Sequence, residues 1–129
     1  MAKRSIRKAS KAYDTGGFKT LLKRATTEML ILLTLRRTSM YTYEMMNALE
    51  RLSGGYLAFN TLYIAIYRLR ELGFIDETER VISDSNRVRV YFSITENGIK
   101  YLKNLVEEYK KFSEVVDVVM NASEVEQGA

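Results

Sequence analysis

The residues best equipped for chemistry in this chain share one helical face. Between Asn60 and Arg70, steps of about 100° per residue gather Leu62, Ala65, Ile66, Leu69 and Leu72 on one side. Asn60, Ile64, Tyr67 and Glu71 fall on the other, flanked by Thr61, Tyr63, Arg68 and Arg70. An Asn amide donates and accepts at once, Thr and Tyr hydroxyls do both, and Ile adds an apolar contact. A face that meets only water is usually Lys and Glu, so this one is read as built for contact. Bond-making residue types are scarce by comparison. The chain has no His and no Cys, which removes the commonest bases and nucleophiles. A zinc site would rest on carboxylates alone, a poor donor set. No catalytic arrangement, metal site or cofactor motif is read, and Glu107-Glu108 is taken as a solvated helix face.

That face needs elements to hold it. Upstream, Thr42 opens a short helix with Tyr43, Met46, Leu49 and Leu52 on one side, and Ser53-Gly54-Gly55 stops it. Downstream, Gly73 stops the Asn60–Arg70 helix. Two β-branched runs follow, Val81-Ile82 and Val88–Ile94, around the turn cluster Ser83-Asp84-Ser85-Asn86. In the second run Val88, Val90 and Phe92 alternate with Arg87, Arg89 and Tyr91, the period of a half-buried strand. Helix, turn, helix and ribbon is the winged helix-turn-helix order.

Two long helices flank this unit. Phe18 to Arg37 keeps the 3-4 spacing, and Met29 to Leu33 is apolar almost all round, which calls for cover on most sides. The second starts at a Thr95 cap and runs to about Asn121. It repeats Leu102, Tyr109, Val116 and Leu105, Phe112, Val119 at heptad spacing. Tyr101, Val106, Val115 and Met120 widen that stripe beyond what one small domain covers, which favours a second copy over packing within one chain.

Charge is uneven. Residues 1–25 hold eight Lys and Arg (Lys3, Arg4, Arg7, Lys8, Lys11, Lys19, Lys23, Arg24) against Asp14; the chain as a whole is at +4. Such an arm fits a polyanion or a solvated tail equally. No apolar run nears the roughly 20 residues of a membrane span, and no signal peptide is read. A soluble cytoplasmic protein is expected, in keeping with the absence of Cys.

Residues from about Glu28 to Glu108 resemble the PadR family of winged-helix transcriptional regulators. The resemblance rests on Tyr43-Glu44, on Leu52-Ser53-Gly54-Gly55, on Thr61-Leu62-Tyr63 with Leu69 and Glu71-Leu72-Gly73-Phe74-Ile75, and on Arg89 through Gly98. Tyr41-Thr42, Ala58-Phe59-Asn60 and Phe92 depart from the family's habits. The fold class expected is mainly α with a small β-ribbon, a winged helix-turn-helix plus a long C-terminal dimerisation helix. Its divisions are a basic arm over 1–17, the winged helix over 18–98, the dimerisation helix over 99–122 and a flexible tail over 123–129.

The resemblance implies a homodimeric repressor, each winged helix reading half of a palindromic operator in double-stranded DNA, in some members released by a small aromatic effector. Asn60, Thr61, Tyr63, Ile64 and Tyr67 are expected at base edges and phosphates, and Arg68 at phosphate. Tyr63 is read equally as packing in the core seam. Arg87 and Arg89 are expected at the backbone or a narrow minor groove, and Lys3, Arg4, Arg7 and Lys8 at phosphates. Met29, Leu33, Leu102, Leu105, Tyr109, Phe112, Val116 and Val119 are expected at the dimer interface. Tyr101, Tyr109 and Phe112 are the candidates for an effector pocket, against the commoner role of such residues as core. The alternative function is a winged-helix protein-interaction module without specific DNA binding.

Overall fold

Residues 13–128 are described by the structure, a computed structural model. Lys3, Arg4, Arg7, Lys8 and Lys11 of the expected basic arm lie outside the described residues. Helix α1 spans Gly16–Arg37, strand β1 Met40–Tyr41, α2 Thr42–Leu52, α3 Tyr63–Glu71, β2 Ile75–Ile82, β3 Val88–Ile94 and α4 Glu96–Gly128. The strands form one antiparallel sheet in the order β1-β3-β2.

The helix ends follow from local chemistry. At both Ser53-Gly54-Gly55 and Leu72-Gly73-Phe74 the chain turns through a left-handed glycine, Gly54 at φ 62° and Gly73 at φ 78°. The orphan carbonyls of the last turn are then satisfied: Gly55 N–H donates to Glu50 O at 2.7 Å, and Phe74 N–H to Leu69 O at 2.9 Å. Thr95 caps α4, its Oγ1 accepting from Gly98 N–H at 3.0 Å. At α2 the expected Thr42 cap is displaced by one residue. Tyr41 holds the cap position, and Glu44 Oε1 reaches back to accept its N–H at 3.2 Å.

Several elements differ from the sequence-based boundaries. Met40-Tyr41, expected as a connector, pairs as a strand with Phe92 and Tyr91. Strand β2 begins at Ile75 rather than Val81. A bulge between Glu77 and Glu79 shifts its alternation, so Ile75 and Glu77 before it, and Arg80 and Ile82 after it, face the same side of β3. Helix α4 continues past Asn121 to Gly128, since Ala122 to Gln127 holds no Pro or Gly and includes good helix formers.

The core sits where α1, α2 and α3 meet the sheet and the root of α4. Ile31, Leu32, Met45, Leu49, Leu62, Ile66, Leu69, Ile75, Phe92 and Leu102 form it. Thr34, the one buried polar side chain among the described residues, donates to Ile31 O at 2.7 Å. Beyond Val106 the body no longer covers α4, and Tyr109, Phe112, Val115, Val116, Val119 and Met120 stand exposed.

Candidate nucleic-acid interface

Helix α3 starts at Tyr63, later than the Asn60 start expected from sequence. Leu62 takes the cap position because its side chain is needed in the core, where it is fully buried. Asn60 and Thr61 therefore belong to the turn that enters α3. Both are exposed, and Thr61 Oγ1 accepts the Tyr63 N–H at 3.2 Å. Buried Leu62, Ile66 and Leu69 seat one side of α3. Tyr63, Ile64 and Tyr67 project from the other, Ile64 at 82% exposure. Tyr63 points outward with them and takes no part in the core seam.

The entering turn is held from α1. Lys19 Nζ lies 3.8 Å above the Tyr56 ring, and Lys23 Nζ sits over Phe59 and donates to Ala58 O. The ribbon β2–β3 stands beside α3 as a wing. Its turn closes by Ser83 N–H to Arg87 O at 2.8 Å, with Asn86 left-handed at φ 61°. Arg89 packs its guanidinium 4.8 Å above the Tyr41 ring, and Tyr41 meets Tyr91 edge-on at 5.4 Å. Between wing and helix lies a cleft of about 740 Å³, lined among others by Tyr43, Tyr63, Tyr67, Arg70, Arg80, Arg87 and Arg89. The ridge, the cleft and the wing arginines form one continuous face of tyrosines and cations.

Carboxylates reach both flanks of α3. Arg68 Nη1 donates to both oxygens of Glu28, on α1, and Tyr101 Oη donates to the same Glu28 at 3.2 Å. The hydrogen bond that Arg68 donates to Glu28, then its interaction with Tyr101, raises the Arg68 pKa above its ordinary value. On the other flank Arg70 Nη2 lies 3.3 Å from Glu77 Oε2, and Arg80 pairs with Glu77 from within β2. Sequence reasoning missed Arg70, Glu28, Glu77, Lys19 and Lys23 as partners of this face. Arg70 was legible as a flank position; the two glutamates carry no sequence signal, since their pairings depend on tertiary approach.

The structure redistributes the residues expected at a subunit interface. Leu102 is fully buried in the chain's own core, and Met29 and Leu105 pack against that core. Leu102 is thus occupied within one chain, while Met29 and Leu105 are half-buried. Leu33 is at its edge, and Tyr109, Phe112, Val116 and Val119 are exposed. Tyr101 stacks on Phe74 with ring centroids 4.3 Å apart. It is eight residues, about 12 Å of helix rise, from Tyr109, so the structure does not bring the three candidate effector residues into one cavity. A second cleft, of about 590 Å³ between α1 and α2, involves none of them.

A helix-turn-helix continued by a β-hairpin wing, with its outer helix exposed and a long helix following, defines a winged-helix protein. Residues 31–104 match the Transcriptional regulator PadR-like family, and the chain belongs to that family. It is similar to a transcriptional regulator from Clostridium thermocellum at 28% identity and a TM-score of 0.66, covering 74% of this chain and 94% of that one. A PadR family transcriptional regulator from Eggerthella lenta shares the fold at 22% identity and a TM-score of 0.66, over 79% of this chain and 84% of that one. A PadR-like regulator from Bacillus cereus does so at 20% identity and 0.64, over 78% and 96%. No curated protein matches the chain. Among the described residues no helix is long and apolar enough to cross a membrane.

Proposed function

We propose that this protein is a sequence-specific DNA-binding repressor that acts in the cytoplasm as a homodimer on a palindromic operator. The observation that carries this is the ridge Tyr63, Ile64 and Tyr67, three large side chains held in solvent by a helix whose other side is locked in the core. Exposing them without a partner is unfavourable, and a major groove offers such a ridge base-edge donors and acceptors for its hydroxyls and thymine methyl groups for its apolar atoms. Asn60 and Thr61, in the turn at the N-terminal end of α3, reach the same groove. Arg87 and Arg89 extend the contact to the flanking backbone or minor groove. The basic residues Lys3, Arg4, Arg7 and Lys8 add phosphate contacts.

Homodimerisation is supported by α4. Its 33 residues span about 50 Å, and its outer half carries an apolar stripe that none of the described residues covers. Two copies meeting there place two α3 ridges on one duplex with twofold symmetry, which a palindrome mirrors. A small aromatic effector would act at Tyr109 and Phe112 in that interface, and Tyr101, engaged with Phe74 and Glu28, would respond to it indirectly.

Selection of bound sequences from a random DNA pool, followed by a mobility shift on the enriched sequence, tests this. Enrichment of an inverted repeat, shifted at moderate salt, is the expected result. No enrichment, with binding that vanishes as salt rises, would leave only non-specific attraction and return the face to a protein partner.

A further inference from the structure

Helix α3 is nine residues long, shorter than the roughly 12–15 that hold together alone in water, so its pose depends on its neighbours. Leu62, Ile66 and Leu69 fix its depth. They hold its inner face in the core, and contacts on its two flanks take up the remaining play in its roll, which aims Tyr63, Ile64 and Tyr67. Arg68 and Arg70 lie about 200° apart by helical steps, on opposite flanks. Each is caught by a carboxylate from another element: Glu28 of α1 takes Arg68, and Glu77 of β2 takes Arg70. Both carboxylates are themselves fixed, Glu28 by the Tyr101 hydroxyl and Glu77 by Arg80. Their side chains are only 20% and 19% exposed. A phosphate that captured Arg68 would leave the largely desolvated Glu28 with the Tyr101 hydroxyl alone, a costly exchange; Glu77 would keep Arg80, so the exchange costs less at Arg70.

We propose that Glu28 and Glu77 are positioning residues for DNA recognition, holding α3 from both flanks through Arg68 and Arg70, and that these arginines are struts rather than phosphate ligands. This reassigns Arg68 from the phosphate contact expected from sequence, and it rests on the DNA-binding function proposed above. The Glu28 side also ties α3 to the long helix, because Tyr101 belongs to α4.

The test measures operator affinity against salt for the full-length wild type, Glu28→Gln, Arg68→Ala and the double variant, with dimer content followed by light scattering. A strut gives single variants that each bind about tenfold more weakly, the factor that 1.4 kcal/mol makes. The double variant is then no weaker than either, and all salt slopes are unchanged. A phosphate ligand gives a slope reduced by about 0.9 per copy in Arg68→Ala and tighter binding by Glu28→Gln, which frees the arginine; either result overturns the proposal. Hydrogen exchange without DNA separates this from the DNA-binding function itself. Glu28→Gln and Glu77→Gln should speed exchange of the α3 amides and leave those of α2 unchanged. Unchanged α3 exchange overturns the bracing even if the operator is found, and faster α3 exchange supports it even if no operator is found.

Discussion

Replacing Gly98 with Ala would put a methyl group where a neighbouring carbonyl already lies. A Cβ built on Gly98 falls 2.0 Å from Phe74 O, 2.8 Å from Ile94 Cγ1 and 3.0 Å from Phe74 C. The nearest of these is backbone, so no side chain can swing aside. The first turn of α4 would have to move away from the exit of α3 by about 1 Å or more to restore an ordinary contact distance. That movement stretches the two hydrogen bonds joining the elements, Thr95 Oγ1 to Gly73 O at 2.7 Å and Thr95 N to Phe74 O at 3.1 Å. Their loss is worth about 1 kcal/mol each, and overpacking adds about 1–3 kcal/mol. The better helix propensity of Ala returns less than about 1 kcal/mol at a first-turn position. The net destabilisation is about 3 kcal/mol, or about 11 °C in Tm for a chain of this length. Thermal unfolding followed by circular dichroism, at one fixed protein concentration, measures it. Gly17→Ala is the control: it lies in the first turn of α1 with nothing within 4 Å of a built Cβ, and its Tm should hold or rise slightly. A Gly98→Ala protein that melts within a degree of wild type would refute the close approach of α4 to α3.

Three further outcomes are expected. Ile64→Ala with Tyr67→Ala should weaken binding to the selected operator by about 2 kcal/mol, roughly thirtyfold, with Tm unchanged, because both side chains lie outside the core; unchanged affinity would move the reading surface elsewhere. Deleting residues 1–12 removes Lys3, Arg4, Arg7, Lys8 and Lys11 and should lower the salt slope of operator binding by up to about 4.5 per copy, and equal slopes would exclude the arm. Phe112→Asp places a charge on the exposed stripe of α4 and should give a folded monomer by light scattering; a dimer that persists would place the subunit contact off that stripe.

The order of elements was legible because it is written in short-range chemistry. Gly54, Gly73 and Thr95 sit where the helices stop or start, and Val88 to Ile94 keeps a strict alternation. Strand β2 was half hidden because the bulge at Glu77/Glu79 breaks its period and half of its residues are charged. Strand β1 was hidden because two residues have no period at all. The start of α3 was misplaced because Asn60 and Thr61 are better cap residues than Leu62 by preference, and burial of Leu62 overrode that preference. On α4 a single heptad stripe serves two purposes: Leu102 completes the chain's own core, while Phe112 and Val119 remain uncovered. Periodicity shows that a face is apolar, not what covers it. The ridge of α3 was readable from the wheel, but the pairing of Arg68 with Glu28, forty positions away, was not.

The joint between α3 and α4 also sets a gearing. About 45 Å of α4 extends beyond Gly98, against about 14 Å from Gly73 back to Ile64. If the two helices turn together about that joint, a displacement at the far end reaches Ile64 reduced to about a third. Thermal jitter of the outer end would then be damped before it arrives at the ridge. By the same ratio, a signal that must swing the ridge by 1 Å has to move the far end of α4 by about 3 Å, so only a substantial rearrangement there would be felt at the tyrosines.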